Sequence, residues 1–380
     1  MMEENEGLLT AHIQKALKEY QLTISFSVKN GCLGILGPSG CGKSMTLKSI
    51  AGITDPDFGR ICLQKAQEDG TCLEQVFFDS KKRISLPPRK RKVGYLFQNY
   101  ALFPNMTVEE NIMAGVVNRD RKKEDTCKNK KKRAQEMMER FRLKGLENRY
   151  PGQLSGGQQQ RAALARLLAY EPQVLLLDEP FSAMDAYLKE ELRMELANLL
   201  ESCRKPAVMV THDRDEAYQL CSHLLLMSRG TVLASGETRE LFQNPVTCQA
   251  ARITGCKNIS RIRPVGPYQV LAMDWGGLKL TTKKPVTEEI GAIGIRAHDF
   301  TALSGQEAEE LSGREDANLI PVRNPRISEM PFEWYITLEN GLWWKREKTI
   351  YCHDKMKVVP PWLRVDPEAI LLLKDDRTKG

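Results

Sequence analysis

One octet limits what this chain can be. Gly37-Pro38-Ser39-Gly40-Cys41-Gly42-Lys43-Ser44 follows a short apolar run, Leu33-Gly34-Ile35-Leu36, and leads into a helix-like stretch, Met45–Ala51. The octet fits the pattern G-x-x-x-x-G-K-[ST] in the strand–loop–helix setting that this pattern requires. Glycines at this spacing let the backbone curl until successive N–H groups face inward, which makes a cradle for phosphate oxygens. The helix that begins near Lys43 adds the partial positive charge of its N-terminus. Lys43 can neutralise β- and γ-phosphates, and the Ser44 hydroxyl can ligate Mg²⁺, a hard cation that prefers oxygen. Cys41 falls at a variable position and is read as incidental.

A second strand ends in acid. Val174–Leu177 is apolar and runs into Asp178-Glu179-Pro180. Beside the cradle strand, Asp178 would lie at the carboxyl edge of the sheet, where ligands of α/β proteins bind. There it can hold Mg²⁺ directly or through water, and Glu179 can take a proton from a water attacking the γ-phosphate. With Ala207–Val210 as a further apolar run between helical stretches, the alternation predicts an α/β fold with a mostly parallel sheet. All five tryptophans lie beyond residue 270, a shift in composition that argues for a boundary near Gly236. Thr238–Gln243 reads as a helix. Beyond it, Tyr268–Met273 and Leu278–Thr282 flank Trp275-Gly276-Gly277, while Trp334–Leu338 and Leu342–Lys345 flank the turn pair Asn340-Gly341. The expected organisation is a first domain over 1–236, a linker helix over 237–256 and an antiparallel β domain over 257–380.

Charge and cysteine usage exclude less. The chain carries 56 basic and 49 acidic residues, a net +7, and residues 119–133 alone hold nine basic and three acidic. Such a run can bind nucleic acid or an anionic membrane, or form a solvated helix face. No apolar run approaches the roughly 18 residues of a membrane span. The acidic start, Met1 to Glu6, does not read as a signal peptide. Ten scattered cysteines without a Cys-x-x-Cys pair fit reduced thiols, so a cytoplasmic location is expected.

Leu154-Ser155-Gly156-Gly157-Gln158, followed by Gln159-Gln160-Arg161, decides among nucleotide-binding classes. Here the chain resembles the ATP-binding cassette (ABC) ATPases, whose signature is Leu-Ser-Gly-Gly-Gln. Physically, Ser155 and the two glycines open a helix over Gln158–Ala169, whose N-terminus is a second anion site. The resemblance identifies further residues. Gln98, in Tyr95-Leu96-Phe97-Gln98, matches the Q-loop glutamine and implies a metal contact. Ser182-Ala183-Met184-Asp185 matches the D-loop, with Met184 where leucine is usual. His212 matches the switch histidine that touches the γ-phosphate. The implied catalytic set is Glu179, His212 and Gln98; the implied nucleotide set is Gly37 to Met45 with Ser155, Gly156, Gly157, Gln158 and Asp185; and the implied metal set is Ser44, Gln98 and Asp178. The implied cofactors are ATP and Mg²⁺. The family sandwiches ATP between one cassette's phosphate loop and its partner's signature, which implies a homodimer. It also implies a helical subdomain over about 99–153 that meets transmembrane permease subunits, a periplasmic or lipid-anchored binding protein acting indirectly, and a place at the cytoplasmic face of the membrane. No nucleic-acid partner is expected.

Residues 84–112, with Leu86-Pro87-Pro88-Arg89 and Asn99-Tyr100-Ala101-Leu102-Phe103-Pro104, look like importer cassettes for oxyanions, sugars, iron and polyamines. Ala250–Ile259 and Gly294–Asp299 look most like the molybdate branch, which implies an OB-like, TOBE-type regulatory domain at the C-terminus. Molybdate import is therefore the first expectation, with sulfate, iron, polyamine or sugar import as alternatives. A soluble cassette ATPase acting on nucleic acid or ribosomes is the alternative from another class. Met45 stands where the family often has threonine, which puts one α-phosphate contact in doubt. Tyr20 is read as a core or edge residue ahead of an adenine platform, the C-terminal tryptophans as packing residues, and Arg296 and His298 as turn or interface residues ahead of anion ligands.

Overall fold

The computed structural model describes residues 7–66, 72–117, 123–182, 184, 186–348 and 359–376. The chain divides into two compact units, Met1–Arg239 and Glu240–Gly380. In the first, the strands are β1 (Gly7–Ala16), β2 (Gln21–Val28), β3 (Gly31–Leu36), β4 (Phe58–Ala66), β5 (Cys72–Asp79), β6 (Ile84–Ser85), β7 (Val93–Leu96), β8 (Val174–Asp178), β9 (Pro206–Thr211), β10 (His223–Ser228) and β11 (Thr231–Glu237). Among the described residues they form one sheet in the order β6-β5-β4-β1-β2-β11-β10-β3-β9-β8-β7.

That sheet is parallel only in part. The run β10-β3-β9-β8-β7 is parallel throughout, and every residue of β8 and β9 is buried. Burial on both faces is what a parallel sheet covered by helices demands. The other half, β6-β5-β4-β1-β2, is antiparallel, as is the β10–β11 pair. The expectation of a mostly parallel sheet is corrected here. The physical reason lies in β2, whose residues alternate buried and exposed along its whole length, the pattern of a strand with one wet face.

The helices are α1 (Lys43–Ala51), α2 (Pro88–Arg91), α3 (Val108–Gly115), α4 (Lys123–Arg140), α5 (Gly156–Ala169), α6 (Ala186–Cys203) and α7 (Arg214–Leu220). Helix α3 opens with a capping box: Thr107 Oγ1 accepts from Glu110 N at 3.3 Å, and Glu110 Oε2 accepts from Thr107 N at 2.8 Å. Helices α3, α4 and α5 pack on one another, with Ile112, Met137, Met138 and Leu164 buried. The described part of the basic run lies on α4, where Lys128, Lys131 and Lys132 are exposed. Among the described residues no helix is long and apolar enough to cross a membrane.

The second unit holds a five-stranded sheet and two three-stranded sheets among its described residues. Glu333–Thr337 and Trp343–Glu347 pair antiparallel across Asn340-Gly341, with Gly341 at φ +86°. Trp275, Trp334 and Trp344 are buried in its core beside Ile293 and Leu363. Its sheets are built of antiparallel strands, with short helices among them. Cys248–Ile253 and Gly305–Leu311 are helical. The second opens on a box in which Ser304 caps Glu307 N, a signal present in the Ser304-x-x-Glu307 spacing. The stretch read as one linker helix forms two, Thr238–Gln243 and Cys248–Ile253. Arg296 spends its guanidinium on the carbonyls of Thr254, at 2.8 Å, and Phe242, so it ties a turn.

Helix α1 carries Lys43 and Ser44 at its front and is gripped at its back. Arg91 is fully buried. Its Nη1 donates to the carbonyls of Ser49 and Ile50 at 2.8 and 2.9 Å, and its Nε donates to Leu86 O at 2.6 Å. A guanidinium at a helix C-terminus satisfies carbonyls that have no partner within the helix and meets the negative end of the dipole. Removing it leaves several buried acceptors unpaired. Arg91→Met is expected to destabilise the first unit by about 3 kcal/mol, read as a fall in the urea midpoint; a loss under about 0.5 kcal/mol would show that α1 does not depend on this clamp.

Candidate nucleotide site

The octet forms a tight loop between β3 and the first residues of α1. Gly40 and Gly42 sit at φ +79° and +101°, a region costly for residues with a side chain. A Cβ on Gly37 would lie 2.3 Å from Met227 O, so this position has no room for one, whereas a Cβ on Gly40 would meet nothing within 4 Å. Pro38, Ser39 and Gly40 are exposed at the rim. Lys43 is only 4% exposed, and its Nζ donates to Gly37 O and Pro38 O, both at 2.9 Å. The loop is thus folded around its own cation. Cys41 is not incidental to packing: its side chain is buried in the core, burial pushes its thiol up, and its carbonyl accepts from Gly230 N at 3.2 Å. Met45 packs against the same core and presents no oxygen.

Strand β8 lies one strand away from β3 across β9, and its last residue is Asp178, 6% exposed. Ser44 Oγ donates to Asp178 Oδ1 at 2.8 Å, and Tyr95 Oη donates to Oδ2 at 2.7 Å. Burial, with the Asp178 hydrogen bond and charge adding to it, pushes the Tyr95 phenol up and keeps it a donor. The next residue, Glu179, has φ +43°. Its N–H donates to Val210 O at 3.0 Å, and its carbonyl accepts from Ser182 N and Oγ at 3.2 and 3.1 Å. This strained corner ends the strand and holds the carboxylate where Gln98 Nε2 reaches Oε2 at 3.4 Å and His212 Nδ1 lies 3.3 Å from Oε1.

His212 is presented by pinned neighbours. Thr211 Oγ1 donates to Glu216 Oε2 at 2.6 Å, and Asp213 caps α7 by accepting from Asp215 N and Glu216 N. Lys189 bridges Asp213 and Glu216, each at 2.7 Å. The backbone after Gln98 turns through positive φ at Tyr100 and Ala101, and Arg166 of α5 donates to both their carbonyls, at 2.9 and 2.8 Å.

The structure therefore brings Lys43, Ser44, Asp178, Gln98, Glu179 and His212 into linked neighbourhoods. It leaves Ser155–Gln158 apart from them: Ser155 Oγ accepts from Gln158 N at 3.3 Å and Gln158 Oε1 accepts from Ser155 N at 3.0 Å, a capping box at the start of α5. Among the described residues no hydrogen bond runs from these two to the cradle. Gly156 and Gly157 form the first turn of the same helix. Asp185 lies outside the described residues. Tyr20 sits at the rim, its ring against Gly230 and its hydroxyl donating to Gly40 O, which fits an edge role. The sequence reading did not single out Tyr95 or Arg166. The pairing of β7 with β8 would have found Tyr95, three residues before Gln98 and on the face of Asp178.

A nucleoside triphosphate with a hard cation fits these groups. Gly40 brings no Cβ to the loop, a buried lysine has carbonyls as its partners, and Ser44, Asp178 and the amide oxygen of Gln98 are oxygen ligands of the kind such a cation takes. Residues 22–182 match the ABC transporter family. Over 291 residues the chain is 41% identical to a sulfate/thiosulfate import ATP-binding protein CysA from Synechocystis sp., covering 76% of this chain and 74% of that one. The chain belongs to the importer-type ABC transporter ATP-binding subunits. A probable sulfate/thiosulfate import ATP-binding protein from Chlorella vulgaris is 40% identical, over 66% of this chain and all of that one. The putrescine transport ATP-binding protein PotG of Escherichia coli is 39% identical, over 65% of this chain and 59% of its own. Among solved structures, cbiO1 from Clostridium perfringens, part of the ABC transporter complex cbiONQ, superposes with a TM-score of 0.50 at 26% identity, covering 63% of this chain and 91% of that one. As an ABC ATPase the chain binds ATP. Lys43→Ala removes the one cation folded into the cradle, and ATP hydrolysis is expected to fall at least 100-fold in a phosphate-release assay; hydrolysis within tenfold of the parent would refute the role given to Lys43.

Proposed function

We propose that this chain is the ATPase of a sulfate or thiosulfate importer, working as a homodimer at the cytoplasmic face of the membrane beneath its permease subunits. The observation that carries the catalytic part is the convergence of Gln98 and His212 on the two oxygens of Glu179. On this reading Lys43 and the backbone of Gly37–Ser44 bind the phosphates, Ser44, Asp178 and Gln98 hold Mg²⁺, and Glu179 accepts a proton from water while His212 and Gln98 orient it. Bound Mg²⁺ supplies charge neutralisation at the phosphates. Ser155, Gly156, Gly157, Gln158 and Asp185 serve the partner cassette's nucleotide.

The transported ion is inferred from the relatives. Molybdate was the first expectation, on Ala250–Ile259 and Gly294–Asp299. The relatives named above are sulfate/thiosulfate import proteins in two cases and a putrescine one in the third. They favour the alternative of sulfate. The oxyanion class is kept and its first member changes. Residues 257–380 are proposed as an OB-like, TOBE-type regulatory domain, a reading supported by their antiparallel sheets.

Two measurements test the proposal. Glu179→Gln keeps the size of the side chain but replaces a carboxylate oxygen with an NH2 group that cannot accept the proton, so it is expected to bind ATP, stall and accumulate as a dimer in size-exclusion chromatography with ATP and Mg²⁺. A variant that stays monomeric would sink the sandwich arrangement. Reconstituted with its permease in proteoliposomes, the protein is expected to drive uptake of labelled sulfate and thiosulfate over molybdate, and to slow as sulfate accumulates inside. Preferential uptake of molybdate or putrescine would overturn the substrate assignment.

A further inference from the structure

We infer that Tyr95 is a positioning residue that fixes the metal-binding carboxylate of Asp178. The inference rests on the reading of Asp178 as a Mg²⁺ ligand. Strands β7 and β8 run parallel with Tyr95 opposite Leu176 and Leu96 opposite Leu177. Side chains on a strand alternate faces, so Leu176 and Asp178 share the face of Tyr95. A residue two positions further along the neighbouring strand is within reach of a side chain as long as tyrosine, and the phenol spans that gap to meet Oδ2 at 2.7 Å. A phenylalanine at this position would cover the same apolar surface and present no donor.

The two oxygens of Asp178 have different partners. Oδ1 accepts from the Ser44 hydroxyl of α1 at 2.8 Å, and Oδ2 accepts from Tyr95 on the β7 side. Ser44 and Asp178 can give up their mutual hydrogen bond to a shared cation, because both atoms are oxygen ligands of the kind Mg²⁺ takes. The Tyr95 bond lies on the other oxygen and need not change. It therefore locks the plane of the carboxylate with Oδ1 toward Ser44, the service that hydrogen-bonded partners render to metal-ligating groups. The tyrosine is itself held: its ring lies 4.3 Å from that of Phe97, at a tilt of 34°. Phe97 immediately precedes Gln98, so the strand that delivers the Q-loop glutamine also sets the orientation of the acidic ligand. The proposed metal site thus draws on α1, β8 and β7, the last through the Tyr95 hydroxyl and through the Gln98 that follows the strand.

The test uses the full chain and Mn²⁺ as the probe, in place of turnover. Binding of Mn²⁺ to the ATP-loaded protein is followed by the loss of the free-ion electron paramagnetic resonance signal, for the parent, Tyr95→Phe and Asp178→Asn. Tyr95→Phe is expected to weaken Mn²⁺ binding about tenfold, while binding of a fluorescent ATP analogue in excess chelator stays within about twofold. A general packing defect would weaken both together and lower the melting temperature in step, and that result would overturn the positioning role. Mn²⁺ affinity unchanged in Tyr95→Phe but lost in Asp178→Asn would overturn the inference and leave the reading of Asp178 intact. Affinity unchanged in both variants would overturn that reading, and the inference with it.

Discussion

A carboxylate at the end of an entirely buried strand has to find donors, and the way Asp178 finds them organises the first unit. Strand β8 is buried at every residue, so its terminal charge cannot simply turn to water. It takes one hydrogen bond from the helix that follows the phosphate loop and one from the strand on its other side. Unpaired buried charge is costly, whereas a charge met by hydroxyl donors is tolerated. The satisfied carboxylate fixes the distance between the cradle and the strand that ends at Gln98. The clamp of Arg91 on the far end of α1 serves the same purpose from behind, since a helix free to slide would carry Ser44 away from its partner.

Strain is concentrated next to this arrangement. Glu179, Tyr100 and Ala101 all adopt positive φ, a region that costs L-residues roughly 1–2 kcal/mol each. In each case neighbouring groups hold the backbone in place. Glu179 is bonded through its N–H to β9 and through its carbonyl to Ser182, and the Tyr100 and Ala101 carbonyls both accept from Arg166. Arg166 belongs to α5, the helix whose first turn is Gly156-Gly157. Gln160 of the same helix, fully buried, donates to Pro180 O just beyond Glu179. One helix thus holds both the segment after Gln98 and the segment after Glu179. A displacement of α5 would be felt at both, which gives the proposed signature helix a physical connection to the proposed chemistry within a single chain.

How much of this was legible in the sequence follows from which forces are local. The cradle was readable because glycine spacing and an adjacent lysine are properties of eight consecutive residues. The Asn340-Gly341 hairpin was readable for the same reason: positive φ at the turn is a local demand. The antiparallel half of the sheet was missed because apolar runs such as Leu33–Leu36 dominated the reading, although the alternation in Gln21–Val28 signals a one-faced strand. The helix at Gly305–Leu311 was missed despite its capping box. Tyr95, Arg91 and Arg166 were not legible in the same way, because each acts on a residue at least 40 positions away along the chain and only the pairing of strands and helices brings them together. Arg296 shows the converse: a lone basic residue that invites an anion is instead spent on two carbonyls.

The signature motif carries two demands at once, and the structure separates them. Ser155 and Gln158 bond to each other's backbone, so their conservative reading is that of a helix start: remove either and α5 loses a cap worth about 1 kcal/mol. That use consumes the Gln158 N–H, which is turned toward Ser155 Oγ. The N–H groups of Gly156 and Gly157 are at the open end of the helix, where a backbone has no intrahelical acceptor. An anion arriving from a partner cassette would therefore meet the glycine amides and the positive end of α5, with the Ser155–Gln158 box holding that end in shape. Glycine at those two positions suits such an approach because no Cβ stands between the amides and the anion. On the proposed reading, the polar residues of the motif shape the helix start, and the residues without side chains would face the anion.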